Sequence, residues 1–169
     1  MIMDKTIELL KLAIMTEQDG YHHYLTASAI TTDKKAREVF KALARDEELH
    51  RKTLLDGITS YSQDKKWSLD KIKGKSNVSS TGPSPIFSVE FVKRIKDKHY
   101  EMSALSIGIL LEQNSIDFYS KMKSKAKNVK LKTLLSVLIA WEKKHLEALV
   151  KQQKLFMSAY WEDSRFQPF

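Results

Sequence analysis

Glu47-Glu48-Leu49-His50 and Glu142-Lys143-Lys144-His145 decide how this chain is read. Each holds a Glu and a His three residues apart, which a helix places on one face about one turn apart. Around the first, an apolar stripe runs Ala36, Phe40, Leu43, Glu47, His50, Leu54. Around the second it runs Leu131, Leu135, Leu138, Glu142, His145, Leu149. Steps of four and three alternate in both, the spacing of a buried helical seam. Glu and His occupy positions where Leu is expected. Two matching polar breaks in two buried seams are what the function has to explain.

The two seams belong to an internal repeat. Glu47 to Glu142 and His50 to His145 are each 95 residues apart, and so are Glu17 to Glu112, Gln18 to Gln113 and Tyr24 to Tyr119. A duplicated helical hairpin, with its halves related by a pseudo-two-fold axis, accounts for the shared offset. The first helix of each hairpin then carries its own inward stripe. These are Leu10, Ala13, Glu17, Gly20, Tyr24, Ala27, and Leu105, Gly108, Glu112, Ser115, Tyr119, Met122.

Turn positions set the heights. The midpoint of 17 and 47 falls in Thr31-Thr32-Asp33, and that of 112 and 142 falls beside Asn128. Antiparallel helices therefore bring Glu17 level with Glu47, and Glu112 level with Glu142. The expected helices span about 4–30, 33–56, 88–126 and 129–158, with Gly57 as a C-terminal stop for the second. Residues 58–87, with Gly74 and Gly82-Pro83-Ser84-Pro85, read as a long crossover. Thirty extended residues reach on the order of 100 Å, ample to return along a helix about 35–40 Å long. The hairpins can then meet with the second and third helices parallel. The aromatic tail 160–169 is expected to pack on the bundle or on a second subunit. The expected fold is all-α, one four-helix bundle over residues 1–169.

Composition limits the chemistry. The chain has 169 residues, enough for one domain with a real core. With no Cys, disulfides, thiolate zinc sites and iron–sulfur clusters are excluded. The first twenty residues, with Asp4 and Glu8, do not read as a signal peptide. No stretch approaches the roughly 20 apolar residues of a membrane span. The expected location is cytoplasmic, with no membrane association. The net charge of +8 reflects 29 Lys+Arg against 21 Asp+Glu. This is a solvated lysine-rich surface, or one suited to an acidic partner such as an electron carrier or nucleic acid. The aromatic-basic interleaving of a nucleic-acid module is not evident.

Glu17, Glu47, His50, Glu112, Glu142 and His145 thus converge in the middle of an apolar bundle. Four ionised carboxylates there repel one another and lose hydration, at several kcal/mol each. Two divalent metals balance four negative charges with both imidazoles neutral. Carboxylate and imidazole donors suit iron or manganese, and zinc can occupy such a site. One Glu from each of two helices plus Glu-x-x-His from each of two more is the ligand set of ferritin-like dimetal bundles. A single Glu-x-x-His means little, since about 0.3 matches are expected by chance. Two in register with two further Glu are far more specific.

Around these ligands, Gly20 and Ser115 follow the first-helix Glu of each hairpin by one turn. Gly within a helix costs about 1 kcal/mol relative to Ala. These small side chains either leave room beside the metals for oxygen or peroxide, or allow close helix packing. Tyr24 and Tyr119 are expected to hydrogen-bond ligand carboxylates. Trp141 is expected to shield the site, and Asp46 and Asp117 are candidate partners for the ligand imidazoles. His22, His23 and His99 lie off the metal stripes and are expected at the surface or an interface.

Ala13-x-x-x-Glu17-x-x-Gly20-x-x-x-Tyr24, Glu47-x-x-His50, Glu112-x-x-Ser115-x-x-x-Tyr119 and Glu142-x-x-His145 resemble the diiron domain of the rubrerythrin branch of the ferritin-like family. The resemblance covers nearly all of the chain except the crossover. It implies a non-haem diiron centre, reduction of hydrogen peroxide or dioxygen, and a homodimer. Two departures stand out. Peroxidase-active rubrerythrins carry an additional Glu three residues after the third-helix ligand, where this chain has Ser115. They also commonly carry a rubredoxin domain, which the absence of Cys forbids here, so electrons are expected from a separate donor protein. Two other functions are compatible with the same ligands. One is ferroxidase-type iron handling without efficient turnover. The other is a diiron hydroxylase acting on a nucleic-acid substrate.

Overall fold

The computed structural model describes residues 5–64 and 99–163. Among them are four helices: α1 Lys5–Ile30, α2 Lys34–Asp64, α3 His99–Lys125 and α4 Val129–Asp163. Together they form an all-α four-helix bundle. Both hairpin turns are capped by the residues their chemistry suggests. Asp33 Oδ1 accepts from Ala36 N at 2.7 Å, and Asn128 Oδ1 accepts from Leu131 N at 3.1 Å. Each side chain satisfies a first-turn amide that has no partner within the helix, worth about 1 kcal/mol. Asp33 and Asn128 stand 95 residues apart, so the repeat extends to its caps.

Every residue of the four expected stripes is buried. α1 packs on α2 and α3 on α4, and the closest packing between the hairpins is α1 against α3. Tyr24 reaches Glu112 while Tyr119 reaches Glu17, so α1 and α3 run antiparallel. α2 is therefore parallel to α3, the direction change that a long crossover serves. The crossover itself, from residue 65 to its expected end, lies outside the described residues, as does the start of the third helix at 88.

Two boundaries differ from expectation. Gly57 does not stop α2, which continues to Asp64. Leu54 is buried and Ile58, one turn on, packs on the same apolar cluster. A helical Gly costs about 1 kcal/mol, less than the roughly 1.5–3 kcal/mol gained by burying one large aliphatic side chain. Likewise α4 runs on to Asp163, so 160–163 are helix and not tail. Phe156, fully buried, continues the seam beyond Leu149 and holds this last stretch on the bundle. Residues 164–169 lie outside the described residues.

The core is split in two. One apolar cluster holds Tyr24, Phe40, Leu43, Leu105, Leu149 and Phe156. The other holds Leu10, Leu54, Tyr119, Leu131, Leu135, Leu138 and Trp141. Between them lies a buried polar layer.

Candidate metal centre

That layer contains all six residues picked out by the stripes. Glu17, Glu47, His50, Glu112, Glu142 and His145 are each no more than 3% exposed. They fall into two groups of four, Glu17–Glu47–His50–Glu142 and Glu47–Glu112–Glu142–His145. Within each group the ligand atoms lie within 4.8 Å of one another.

Each group centres on one imidazole Nδ1. His50 Nδ1 lies 3.1 Å from Glu17 Oε2, 3.3 Å from Glu47 Oε2 and 3.0 Å from Glu142 Oε1. His145 Nδ1 lies 3.2 Å from Glu47 Oε1, 3.5 Å from Glu112 Oε1 and 3.6 Å from Glu142 Oε2. Glu47 and Glu142 therefore turn one oxygen to each group. Glu17 and Glu112 each belong to one group alone. This division into shared and terminal carboxylates is not visible in the stripes, which give all four Glu the same standing.

Hydrogen bonds cross the pseudo-two-fold axis. The Tyr119 hydroxyl donates to Glu17 Oε1, and the Tyr24 hydroxyl donates to Glu112 Oε1. Each tyrosine thus holds the terminal carboxylate of the other hairpin. Burial pushes the Tyr24 hydroxyl well above its ordinary pKa, and Glu112 adds to this, so it remains a donor.

The proton balance without metal follows from burial and crowding. Burial, reinforced by Glu142, drives Glu17 well above the ordinary carboxylate range; burial and Glu47 do the same to Glu112. Burial also pushes Glu47 and Glu142 upward, but both end below the ordinary range. The neighbouring imidazoles of His145 and His50 outweigh burial at Glu47, and the His50 charge does so at Glu142. Burial lowers both imidazoles, yet the surrounding carboxylates, Glu142 for His50 and Glu112 for His145, raise them well above 6.5. Protons thereby neutralise a layer that would otherwise carry four buried negative charges.

Hydrogen bonding is incomplete even so. Glu142 Oε1 and Oε2 and His145 Nδ1 are buried with no hydrogen-bond partner. Such orphaned groups cost about 1–3 kcal/mol each. All three face the convergence points of the two groups. Two divalent ions would satisfy them and replace the protons, so the buried cluster fits a dimetal site. Its oxygen and imidazole donors accept iron, manganese or zinc.

The neighbours divide. A Cβ on Gly20 would lie 3.2 Å from Glu47 Cδ and 3.3 Å from its Cγ. The space beside Gly20 is therefore taken up by the Glu47 side chain, which fits the close-packing alternative. Gly108 plays the matching part for Tyr24, whose hydroxyl would lie 3.3 Å from an added Cβ. Ser115, at the Gly20 position of the repeat, is buried. Asp46 is fully buried and its Oδ2 lies 3.3 Å from His145 Nε2, whereas Asp117 is exposed and reaches neither imidazole. Trp141 stacks on His50, rings 4.8 Å apart and 10° from parallel. His22 and His99 are exposed. His23 is half-buried, and its Nε2–H donates to Ala104 O at 2.9 Å, tying α1 to α3.

Among the described residues, no helix is long and apolar enough to cross a membrane. No curated protein and no solved structure matches the chain. The family model described as rubrerythrin matches residues 8–152, a span that takes in both hairpins and all six converging side chains. The chain belongs to the rubrerythrin family of ferritin-like diiron proteins.

Proposed function

We propose that the chain is a non-haem diiron oxidoreductase that reduces hydrogen peroxide or dioxygen with electrons from a separate donor protein. The observation carrying this reading is the sharing of Glu47 and Glu142 between two imidazole-centred groups. One shared pair of carboxylates suits two ions acting together, where two separate sites would need no bridge. Two iron ions held there would supply the two electrons that, with two protons, convert hydrogen peroxide to two waters.

The residues divide the work. His50 and His145 present Nδ1 to their groups, and Glu17 and Glu112 close each group at its outer side. Tyr119 and Tyr24 fix those outer carboxylates and limit how far they swing. The apolar clusters above and below keep bulk water from the layer. In the cluster below, Trp141 covers the His50 side. The +8 charge supports docking of an acidic electron carrier. Matching exposed apolar residues, Leu12 and Met15 on α1 and Ile107 and Leu110 on α3, support a homodimer.

Ser115, where peroxidase-active relatives carry another Glu, favours keeping iron handling as a second reading. The test is single-turnover reoxidation of anaerobically reduced, iron-loaded protein, followed by absorption. Reoxidation by stoichiometric peroxide within seconds, repeated on re-reduction, is the expected result. Reoxidation by dioxygen with iron released or mineralised would favour iron handling. Protein that stays reduced with both oxidants would overturn the redox reading.

A further inference from the structure

The repeat that doubles the ligands breaks at one pair of positions touching them. Asp46 and Trp141 stand 95 residues apart, each immediately before a shared Glu. Each reaches across the bundle to the imidazole of the other hairpin. On one side, Asp46 Oδ2 lies 3.3 Å from His145 Nε2, with both residues fully buried. On the other, Trp141 lies flat on His50, and His50 Nε2 is buried with no hydrogen-bond partner.

The consequence follows from the two nitrogens of each ring. Both imidazoles turn Nδ1 toward the carboxylates, so Nε2 must carry the proton whenever Nδ1 binds a metal. At His145 that Nε2–H meets a carboxylate. The hydrogen bond selects the binding tautomer, fixes the ring and raises the basicity of Nδ1. At His50 the Nε2–H meets no acceptor, and that side of the ring has the stacked Trp141 in place of a carboxylate.

We propose that the two metal positions are unequal, the His145 position filling first because Asp46 positions its imidazole. This rests on the dimetal reading above. Asp46 touches no metal in this account and acts through His145. The His50 position, left without such support, takes the second ion more weakly and exchanges it first.

The test is anaerobic titration of the metal-free full chain with Co(II), followed by visible absorption and by calorimetry. Wild-type protein is expected to bind two ions in two resolved steps. Asp46→Asn keeps the size of the side chain and removes its charge. It is expected to weaken the first step about 10–100-fold, the usual cost of losing such a partner, and to spare the second. If Asp46→Asn does not fold, His50→Ala and His145→Ala decide the same point. The first should keep the tight step and the second should lose it. Two equal steps in wild type, equal weakening of both steps by Asp46→Asn, or no effect of it would overturn the inequality. Less than one ion per chain in wild type would instead sink the dimetal reading itself.

Discussion

The two hairpins carry the same ligands at the same offset, yet they do not build the same surroundings. What is common to both is charge and reach: Glu17 and Glu112, Glu47 and Glu142, His50 and His145, Tyr24 and Tyr119, and the caps Asp33 and Asn128. What differs is what presses on them. Gly20 faces Ser115, Ala13 faces Gly108, and Asp46 faces Trp141 in the repeat. The shared set answers to a demand of both halves, four carboxylates to be neutralised at the centre. The unshared set answers to local space and hydrogen bonding. A duplicated scaffold can therefore hold two ions while giving them different properties.

The sharpest way to break the comparison is to separate shared from terminal carboxylates. Glu47→Gln removes an oxygen donor from both groups, and metal content is expected to fall from two ions per chain to well under one. Glu17→Gln disturbs only the His50 group and is expected to leave about one. Elemental analysis after iron loading reads both, and equal losses would contradict the division. A subtler break is Gly20→Ala. The new methyl must displace Glu47, at an overpacking cost of about 1–3 kcal/mol, partly offset by about 1 kcal/mol of helix propensity. Metal affinity is expected to drop while the melting temperature moves by only a few degrees; an unchanged affinity would show that Glu47 can shift freely.

The two tyrosines offer a sharpening test. Tyr24→Phe and Tyr119→Phe each remove a buried hydrogen bond to a carboxyl group, worth about 0.5–1.5 kcal/mol. Because burial raises Glu17 and Glu112 alike, the losses should be close to equal in metal-free protein. Denaturant unfolding of both variants measures this.

The smallest expected effect is on pH. Glu17, Glu112, His50 and His145 all have folded pKa values raised above their ordinary ones. The native state therefore holds protons that the unfolded chain has released. The His contribution is fully present below 6.5 and is lost as pH rises through the raised folded values; the two raised Glu act in the same direction above 4.5. Glu47 and Glu142, being lowered, act oppositely and only as pH falls below 4.5. Metal-free protein is expected to lose stability from neutral to alkaline pH, and iron-loaded protein to be flatter. Melting temperatures at pH 6.5 and 9 check this.

Much of this was legible in the sequence. A 3.6-residue period with four polar breaks assigns all four buried faces, because burial of a helix face is a property of spacing. The family followed from the same residues. What spacing cannot show is how side chains reach between helices. Asp46 and Asp117 looked alike in sequence, and only packing puts one fully inside and the other in solvent. Gly20 read equally as open space or close packing because sequence records the missing side chain and not the neighbour that fills it. Gly57 read as a stop because local propensity is visible, whereas the packing of Ile58 that overrides it is not.

The central claim is that the polar layer holds two metal ions between shared carboxylates. Anomalous diffraction at the iron edge from iron-loaded crystals tests it most directly. Two peaks about 3.5–4 Å apart, both within bonding reach of Glu47 and Glu142, are the predicted result. A single peak, or iron bound away from His50 and His145, would contradict it.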